Sequence, residues 1–424
     1  MRYARSIAGL AAAALALAAC GGGGDDASGS GNGGGDVEVF TWWAEGSEKA
    51  GLDALVEVFE EQNPDYTFVN GAVAGGAGSN AKNVLASRLQ TNDPPATFQA
   101  HAGAELTDYI EANQIQDISD MYEENGWNEA FPPDLMELLT VDDAIYSVPS
   151  NIHRANVVWA NPDVLDEAGI DSAEPPADMD AWIQQLEELD SAGVTPLSIG
   201  MDWTQVHLLE TVLLSELGAD AYQGLWDGST DWSSPEVHAA VDDYATLMSF
   251  TNTDRQNLDW PDATQQVIDG NAAYNVMGDW AEVAFREQDL EHGTDYTTFP
   301  VPGTDGVFDF LADSFTMPYN SPNEEGTTAW LETIASEEGQ QAFNLAKGSI
   351  PARTDVDASE YPAYQQTAIE SYANDTIVSS LAHGSATPVA WLTDVTEVVS
   401  QFSANGDAEA LKTGLADVAA SNLE

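Results

Sequence analysis

Two tryptophans stand side by side in the segment Val39–Glu48, VFTWWAEGSE, at the end of an apolar run. Successive side chains of a strand point to opposite faces, so Trp42 and Trp43 cannot both fill one core. We expect one indole to pack inward and the other to stand at the mouth of a cleft. Trp280 lies in a similar glycine-flanked turn, MGDWAE. Indoles stack on the apolar face of a sugar ring while polar side chains satisfy its hydroxyls, so this pattern favours sugar binding.

The spacing of the other reactive residues gives little support to catalysis or metal binding. The turn GGAGSN lacks the spacing of a phosphate-binding loop, and no G-x-S-x-G elbow occurs. The nearest two of the six histidines, His207 and His238, are thirty-one residues apart, so no helical zinc pair exists. With 72 acidic residues, carboxylates lie ~5–10 Å apart by chance, so a pair alone does not indicate a glycosidase. We predict no metal, no cofactor and no enzymatic activity.

Asp313 is the carboxylate whose position is informative. It interrupts the apolar stretch Phe310–Phe315, where its neighbours are expected to be buried, and a buried carboxylate needs a partner. A structural aspartate and one that faces a ligand fit this position equally well.

The first hundred residues of the mature chain predict alternating strands and helices. Residues 37–41 alternate as a strand, and a helix follows with Leu52, Leu55 and Phe59 on one face. YTFVNGAVA, NAKNVLASRLQT and ATFQA continue as strand, helix and strand, which predicts a largely parallel sheet. Ligands bind outside the carboxyl ends of such strands. The turns WWAEGS, GGAGSN and QAHAGAE should therefore open onto one crevice.

The length of 424 residues exceeds the ~250–300 at which one core stops growing, so we predict two lobes. A second unit begins near residue 146 and is mainly helical to about residue 290. The segment 306–318, GVFDFLADSFTMP, alternates like a strand and is expected to return the chain to the first lobe. The pattern of 370–424 predicts helix.

The N-terminus predicts an export signal with a lipid anchor. Arg2 and Arg5 precede an apolar segment too short to span a bilayer. It ends in LAAC, which resembles the bacterial lipobox, and Cys20 is the only cysteine. Residues 1–20 are thus predicted to be a signal peptide and 21–36, rich in glycine, a flexible tether.

The chain is strongly acidic, with 72 Asp and Glu against 11 Lys and Arg. Cleavage before Cys20 removes Arg2 and Arg5, which leaves 9 minus 72, or −63. Nucleic acid is excluded as a partner. Acidity spread over the whole chain indicates adaptation to a salty medium that screens self-repulsion, and it makes each remaining cation informative.

Several long motifs follow one another along nearly the whole mature chain: FTWWAEGSE, GGAGSNAKNVLASRLQTNDPPATFQAHAG, VPSNIHRANVVW, WTQVHL, NVMGDWAE, ADSF, AKGSIPAR and VSSLAHGSATP. Together they resemble the bacterial glucose-binding members of the extracellular solute-binding protein family 1, the receptors of ABC sugar importers. The resemblance implies a two-lobed α/β fold of the periplasmic-binding-protein type (class II), with helix-flanked, mostly parallel sheets and the ligand in the cleft between lobes. It also implies closure around one sugar by hinge motion.

The resemblance also implies a set of sugar-binding residues: Trp42, Trp43, Glu48, Gln99, His101, Asp279, Trp280, Asp313, Lys347 and His383. Gln99 departs from relatives that carry a basic residue there. Asn151, Trp203, His207 and Trp260 are candidates of second rank. The first lobe is assigned to 37–150 and about 306–365, and the second to 151–305 and about 366–424.

The function expected is a monomeric receptor on the outer face of the bacterial cytoplasmic membrane, lipid-anchored through Cys20. It would bind a monosaccharide, glucose first with galactose or mannose as alternatives, and deliver it to the permease subunits of an ABC importer. A glycoside hydrolase and a cell-surface carbohydrate adhesin are the alternatives from other classes.

Overall fold

A computed structural model describes residues 34–75 and 78–423. The predicted signal peptide, Cys20 and residues 21–33 of the tether lie outside the described residues. Among those described, no helix is both long and apolar enough to cross a bilayer.

The predicted strand–helix alternation at the start of the mature chain is confirmed. Its elements are β1 (Gly35–Phe40), α1 (Gly46–Gln62), β2 (Tyr66–Asn70), α2 (Ser79–Gln90) and β3 (Thr97–His101). β1 pairs in parallel with both β2 and β3. Leu52, Leu55 and Phe59 of α1 are buried, as their spacing on one helix face predicts.

The middle of the chain adds short helices and strands followed by longer helices. These are α3 (Ala104–Glu111), α4 (Ser119–Asn125), α5 (Pro133–Leu139), β4 (Thr140–Val141), β5 (Ala144–Ile145), β6 (Ser147–Pro149), β7 (His153–Arg154), β8 (Val157–Ala160), α6 (Pro162–Ala168), α7 (Met179–Ala192), β9 (Thr195–Ser198), α8 (Asp202–Asp227), α9 (Pro235–Ser249), α10 (Trp260–Ile268) and β10 (Ala272–Val276). The last part contains α11 (Glu282–Arg286), β11 (Thr297–Pro300), β12 (Val307–Leu311), β13 (Asp313–Thr316), α12 (Glu324–Ala335), α13 (Glu337–Lys347), α14 (Ala363–Asn374), β14 (Thr376–Ser379), α15 (Val389–Asn405) and α16 (Ala408–Asn422).

Two sheets form the centres of the two lobes. The first lobe holds the order β2-β1-β3-β13-β6, and the second holds β11-β8-β10-β9. Each sheet is mixed rather than mostly parallel, because β13 runs antiparallel to β3 and β8 runs antiparallel to β10. Each sheet has its own apolar core, so the two-lobed α/β fold is confirmed.

A third sheet has the strand order β14-β12-β7, so β12 belongs to a different sheet from β13. The segment 306–318 is therefore not one strand, as its alternation suggested. Leu311 of β12 pairs with His153, whereas Asp313 of β13 pairs with His101, and only Ala312 lies between the two strands. The helical prediction for 370–424 also missed β14. The residue ranges assigned to the lobes stay a prediction.

Candidate ligand-binding site

A cavity lies between the two lobes, with about 60 Å³ open to the centres of water molecules. Seven of the residues predicted to bind sugar line it: Trp42, Glu48, His101, Trp280, Asp313, Lys347 and His383. Two of second rank, Trp203 and Trp260, also line it. Trp43, Gln99, Asp279, Asn151 and His207 are not among the residues that line this cavity.

The three predicted turns of the first lobe all reach the cavity. Trp42 comes from the turn between β1 and α1, with Glu48 in the first turn of α1; Gly75 and Gly78 come from the turn between β2 and α2, and His101 ends β3. The carboxyl ends of parallel strands lie at one edge of a sheet, which explains this convergence. Gly78 has a φ of +90°, and a Cβ there would lie 2.8 Å from the indole of Trp42, so a side chain would displace that ring.

The adjacent tryptophans have different surroundings, and Trp43 corrects the predicted set. Its side chain is fully buried, with its ring centre 4.7 Å from that of Phe343 and 5.4 Å from that of Phe315. Trp42 instead lines the cavity, with its ring centre 5.0 Å from that of His101. The alternation of side chains along β1 continues into the turn and sends the two indoles to opposite sides.

The side chain of Asp313, on the cavity wall, accepts hydrogen bonds from three donors. Its Oδ1 accepts a hydrogen bond from Gln99 Nε2 at 2.7 Å, and its Oδ2 accepts from Lys347 Nζ at 2.8 Å and Asn151 Nδ2 at 2.9 Å. Burial raises the pKa of Asp313, but the charge and hydrogen bond of Lys347, together with the nearby His101 and His153, outweigh it and hold the pKa below its usual range. Gln99 and Asn151 therefore contact the wall from behind.

His153 connects Lys347 to Asp279. Lys347 Nζ donates to His153 Nε2 at 2.7 Å, and His153 Nδ1 donates to Asp279 Oδ1. Burial and the nearby Lys347 charge lower the pKa of His153, so the imidazole is neutral and can accept from the ammonium. Asp279 also accepts from the backbone N–H of Arg154 at 3.1 Å. It orients His153 and does not line the cavity.

Two further carboxyl groups line the cavity from opposite lobes. Glu48 is partly exposed as a residue, but atoms of the cleft surround its carboxyl, and this burial raises its pKa to about 8 against the opposing charge of Lys347. It therefore carries a proton near neutral pH and can donate a hydrogen bond. Asp259 accepts from Trp203 Nε1 at 3.1 Å and from the backbone of Trp260 at 2.8 Å, and so fixes the start of α10.

His383 presents a ring nitrogen to the cavity. Its Nδ1 lies 2.8 Å from Ser380 Oγ, which is also 3.0 Å from Glu210. The other nitrogen, Nε2, is buried without a hydrogen-bond partner in the protein. Burial lowers the pKa of His383 well below its usual value, which keeps the ring neutral.

One group of three possible metal ligands occurs among the described residues, namely His207, Glu210 and His383, with ligand atoms within 4.8 Å of one another. Both oxygens of Glu210 already accept from Ser380 Oγ at 3.0 Å, and one accepts from Ala382 N at 2.8 Å. His207 Nε2 donates to the carbonyl of Ala155 at 2.9 Å. Hydrogen bonds within the protein thus occupy Glu210 and one nitrogen of His207, and we assign no metal to this group.

Sequence reasoning missed three residues of the cavity wall, His153, Asp259 and Leu311, and placed Gly75 and Gly78 there only as part of the turn GGAGSN. His153 stood inside the quoted motif VPSNIHRANVVW, where an imidazole in an apolar, extended segment was the available signal. Asp259 precedes Trp260-Pro261, where a helix starts, so the sequence indicated only a helix-capping role for it.

Residues 43–341 match the sequence profile of the family described as bacterial extracellular solute-binding protein. The chain belongs to this family. An ABC transporter extracellular-binding protein of Pyrococcus horikoshii is 33% identical over 88% of this chain and 84% of its own. A probable sugar-binding periplasmic protein of Rhizobium meliloti is 32% identical over 90% and 92%. The xylose/arabinose-binding protein XacG of Haloferax volcanii is 32% identical over 82% and 76%.

Solved structures of solute-binding proteins share the fold. The bacterial solute receptor AcbH, with an exclusive preference for β-D-galactopyranose, superimposes with a TM-score of 0.79 at 18% identity, over 92% of this chain and 100% of its own. A chitin oligosaccharide binding protein gives a TM-score of 0.80 at 19% identity, over 93% and 100%. Members of the family are binding proteins, and these structures have the same two-lobed architecture.

Proposed function

We propose that this family member is an extracytoplasmic receptor that reversibly binds one monosaccharide, glucose first, and delivers it to an ABC importer. A row of four rings across the cleft carries the proposal. The ring centres of Trp42 and His101 are 5.0 Å apart, those of His101 and His383 are 6.1 Å apart, and those of His383 and Trp280 are 5.3 Å apart. The row joins an indole of the first lobe to an indole of the second.

The chemistry around these indoles suits a neutral polyol. The indole faces cover the apolar face of a pyranose ring, and donors and acceptors of both kinds surround the space between them. Glu48 and Lys347 donate, Asp259 accepts, and His383 Nε2 is a ring nitrogen without a partner in the protein. A sugar hydroxyl both donates and accepts, so it satisfies these buried groups in a way that an apolar ligand would not.

The size of the cavity favours one sugar ring. A sphere with the 60 Å³ open to water centres has a radius of about 2.4 Å, and the water radius of about 1.4 Å extends the empty space to about 3.8 Å. This is the scale of one pyranose and is smaller than a disaccharide. The named sugars of relatives include pentoses and oligosaccharides, so size is the argument for a monosaccharide here.

The test is calorimetric titration of the mature protein with glucose, galactose, mannose, xylose, maltose and a chitin disaccharide in the same high-salt buffer. The proposal expects saturable binding of at least one hexose, with glucose strongest, and little heat from the disaccharides. Tighter binding of a disaccharide would refute the monosaccharide assignment. Absence of binding to every sugar of the panel would refute the receptor proposal.

A glycoside hydrolase is the second candidate, because Glu48 and Asp313 have pKa values shifted in opposite directions, as acid–base pairs do. Asp313 is poorly suited to act as a nucleophile or base. Its oxygens already accept three hydrogen bonds, from Gln99, Asn151 and Lys347. Incubation of the protein with disaccharides and analysis for released monosaccharide distinguishes the two, since the receptor proposal expects no release. An adhesin would bind polymer more tightly than free hexose, which titration with a soluble polysaccharide beside the panel measures.

The proposal includes anchoring by lipid at Cys20, with the mature protein as a monomer beside its permease. It rests on the leader, the single cysteine and the glycine-rich segment that follows. Cys20→Ala should leave the protein unprocessed or released from membranes, as measured by fractionation of the producing cells. Unchanged membrane retention with normal cleavage would refute the anchor. Sedimentation velocity measures whether the mature protein is a monomer in solution.

A further inference from the structure

One face of α8 packs around the ring of His383. Trp203, His207 and Glu210 lie on successive turns of this helix, at spacings of four and three residues that place them on one side. The ring centre of His383 is 6.0 Å from that of Trp203 and 5.2 Å from that of His207. Its Nδ1 lies 3.9 Å from Glu210 Oε1. Three residues of α8 therefore surround a side chain that lines the cavity.

Glu210 also holds the backbone turn that carries His383. Its Oε2 accepts a hydrogen bond from the backbone N–H of Ala382 at 2.8 Å, and both of its oxygens lie 3.0 Å from Ser380 Oγ. Ser380 Oγ is in turn 2.8 Å from His383 Nδ1. One side chain of α8 thus fixes the residue before His383 and, through Ser380, one nitrogen of its ring.

The carboxyl group of Glu210 depends on these hydrogen bonds. It is fully buried, and no lysine or arginine of the described residues lies within ion-pair distance of it. A buried polar group of this kind is unfavourable unless it is hydrogen-bonded. Burial raises the pKa of Glu210 to about 8, against the lowering effect of the Ala382 N–H. That N–H can only donate, so it can bond to Oε2 whether or not Oε1 carries a proton.

The other ring nitrogen of His383 is the group that this arrangement positions. Nε2 is buried without a hydrogen-bond partner in the protein, although the residue lines the cavity. A sugar hydroxyl can donate or accept, so it can bond to Nε2 in either tautomer of the neutral ring. This bond requires that the ring keeps its place.

We infer that Glu210 is a positioning residue of the binding site: it holds the turn 380–383 and so keeps His383 where Nε2 bonds to a ligand hydroxyl. The inference of ligand contact rests on the proposed function. Loss of Glu210 then weakens binding through His383, whereas a general loss of packing would weaken binding independently of His383.

The first experiment locates the ring of His383 in the sugar-free protein. The ring centre lies 5.3 Å from that of Trp280, close enough for nuclear Overhauser contacts between protons of the two rings, and His383→Ala assigns the signals. We expect these contacts to disappear in Glu210→Ala. Glu210→Gln should restore them, because its amide oxygen can take the place of the carboxyl oxygen as acceptor. Asn161→Ala is the control, since Asn161 also accepts from a backbone N–H, at the start of α6, but does not line the cavity.

Unchanged contacts between the two rings in Glu210→Ala would overturn the inference. If Glu210→Ala does not fold, Ser380→Ala provides the second variant. It removes the hydroxyl group that lies between Glu210 and His383, so the contacts of the His383 ring with Trp280 should weaken. Unchanged ring contacts in Ser380→Ala would likewise overturn the inference.

Calorimetry with glucose then measures whether binding is lost through His383. His383→Ala and Glu210→Ala should each lose at least about tenfold in affinity, and the double variant should lose no more than the weaker-binding single variant. Glu210→Gln should recover most of the loss, and Asn161→Ala should bind within about threefold of the parent.

Losses that multiply in the double variant would show that Glu210 is merely structural, and parent-like affinity of Glu210→Ala would also overturn the inference. If the parent binds no sugar, the proposed function fails, whereas the ring contacts in the sugar-free protein still decide whether Glu210 positions His383.

Discussion

The indoles of Trp42 and Trp43 are adjacent in sequence but serve different parts of the molecule: Trp42 lines the cavity between the lobes, and Trp43 lies in the core of the first lobe. The ring of Trp43 is fully buried against Phe343, with ring centres 4.7 Å apart. Cavity wall and core are therefore occupied by the two side chains of a single dipeptide.

Replacing Trp42 or Trp280 with alanine should weaken binding of the sugar while the fold survives. Each variant should lose on the order of 2–4 kcal/mol, or ~30- to 1,000-fold in affinity, the range of a binding hot spot. Calorimetry with the tightest sugar of the panel measures the loss, and circular dichroism checks the fold. Trp182→Phe, in the core of the second lobe, should alter stability and leave affinity unchanged. If both alanine variants bind within about threefold of the parent, the indoles do not hold the sugar.

Trp43→Ala should instead lower the stability of the protein. Truncation of a fully buried tryptophan typically costs about 3–5 kcal/mol, because the packing against Phe315 and Phe343 is lost and a cavity remains. Unfolding by guanidinium, followed at constant salt, measures the change in free energy. A loss below about 1 kcal/mol would contradict the assignment of Trp43 to the core.

Lys347→Met should destabilise the protein and weaken binding together. It leaves the buried Asp313 carboxylate without its charged partner at 2.8 Å, and breaking such a pair costs about 3–5 kcal/mol. Lys49→Met is the matched control, because the Lys49–Asp53 pair is about half exposed and should contribute less than about 1 kcal/mol. Equal effects of the two substitutions on the unfolding free energy would contradict the buried role of Lys347.

Glu48 should make stability depend on pH. Its pKa is raised in the folded protein from 4.5 to about 8, so the folded state binds the proton more tightly than the unfolded chain. Its favourable contribution is complete below about pH 4.5 and is lost as pH rises through about 8. Glu48→Gln should remove this component, so the melting temperature of the variant should fall less than that of the parent between about pH 5 and pH 8.5. If the melting temperatures of the parent and Glu48→Gln change equally with pH, the raised pKa of Glu48 is contradicted.

Salt should stabilise the protein. The side chains of the mature protein carry a net charge of −63. The screening length for charge repulsion is ~3 Å at 1 M salt and ~10 Å at 0.1 M, so repulsion between carboxylates grows as the salt concentration falls. The melting temperature should rise steadily between about 0.1 M and 2 M potassium chloride. A flat profile would exclude halophilic adaptation without bearing on the sugar proposal.

The predictable part of the fold is the part in which local pattern and packing agree. Leu52, Leu55 and Phe59 define a helix face, and residues 37–41 alternate, so the first five elements follow from the sequence. The segment 306–318 shows the limit. Its alternation continues through Ala312, but its two halves pair with different sheets, and pairing over such separations leaves no local signal.

For the site, the resemblance gave residue types and their place in the chain, but the depth of each side chain depends on tertiary packing. Gln99 and Asp279 contact Asp313 and His153 from behind the wall. No spacing rule distinguishes such a supporting position from one on the cavity. Which of two adjacent indoles faces the cleft likewise depends on the exact position at which β1 ends.

Four residues of the cavity wall lie in or next to the third sheet: His153 in β7, Leu311 at the end of β12, Asp313 at the start of β13, and His383 after β14. We expect a substitution at one of these positions to change the shape of the cavity and the packing of the third sheet together. Trp42 and Trp260 also line the cavity but lie outside the third sheet, so substitutions there change the cavity without changing that sheet. Over evolutionary time, a change of preferred sugar is therefore expected to proceed through wall positions outside the third sheet, while the four residues in or next to that sheet constrain which lineages can arise.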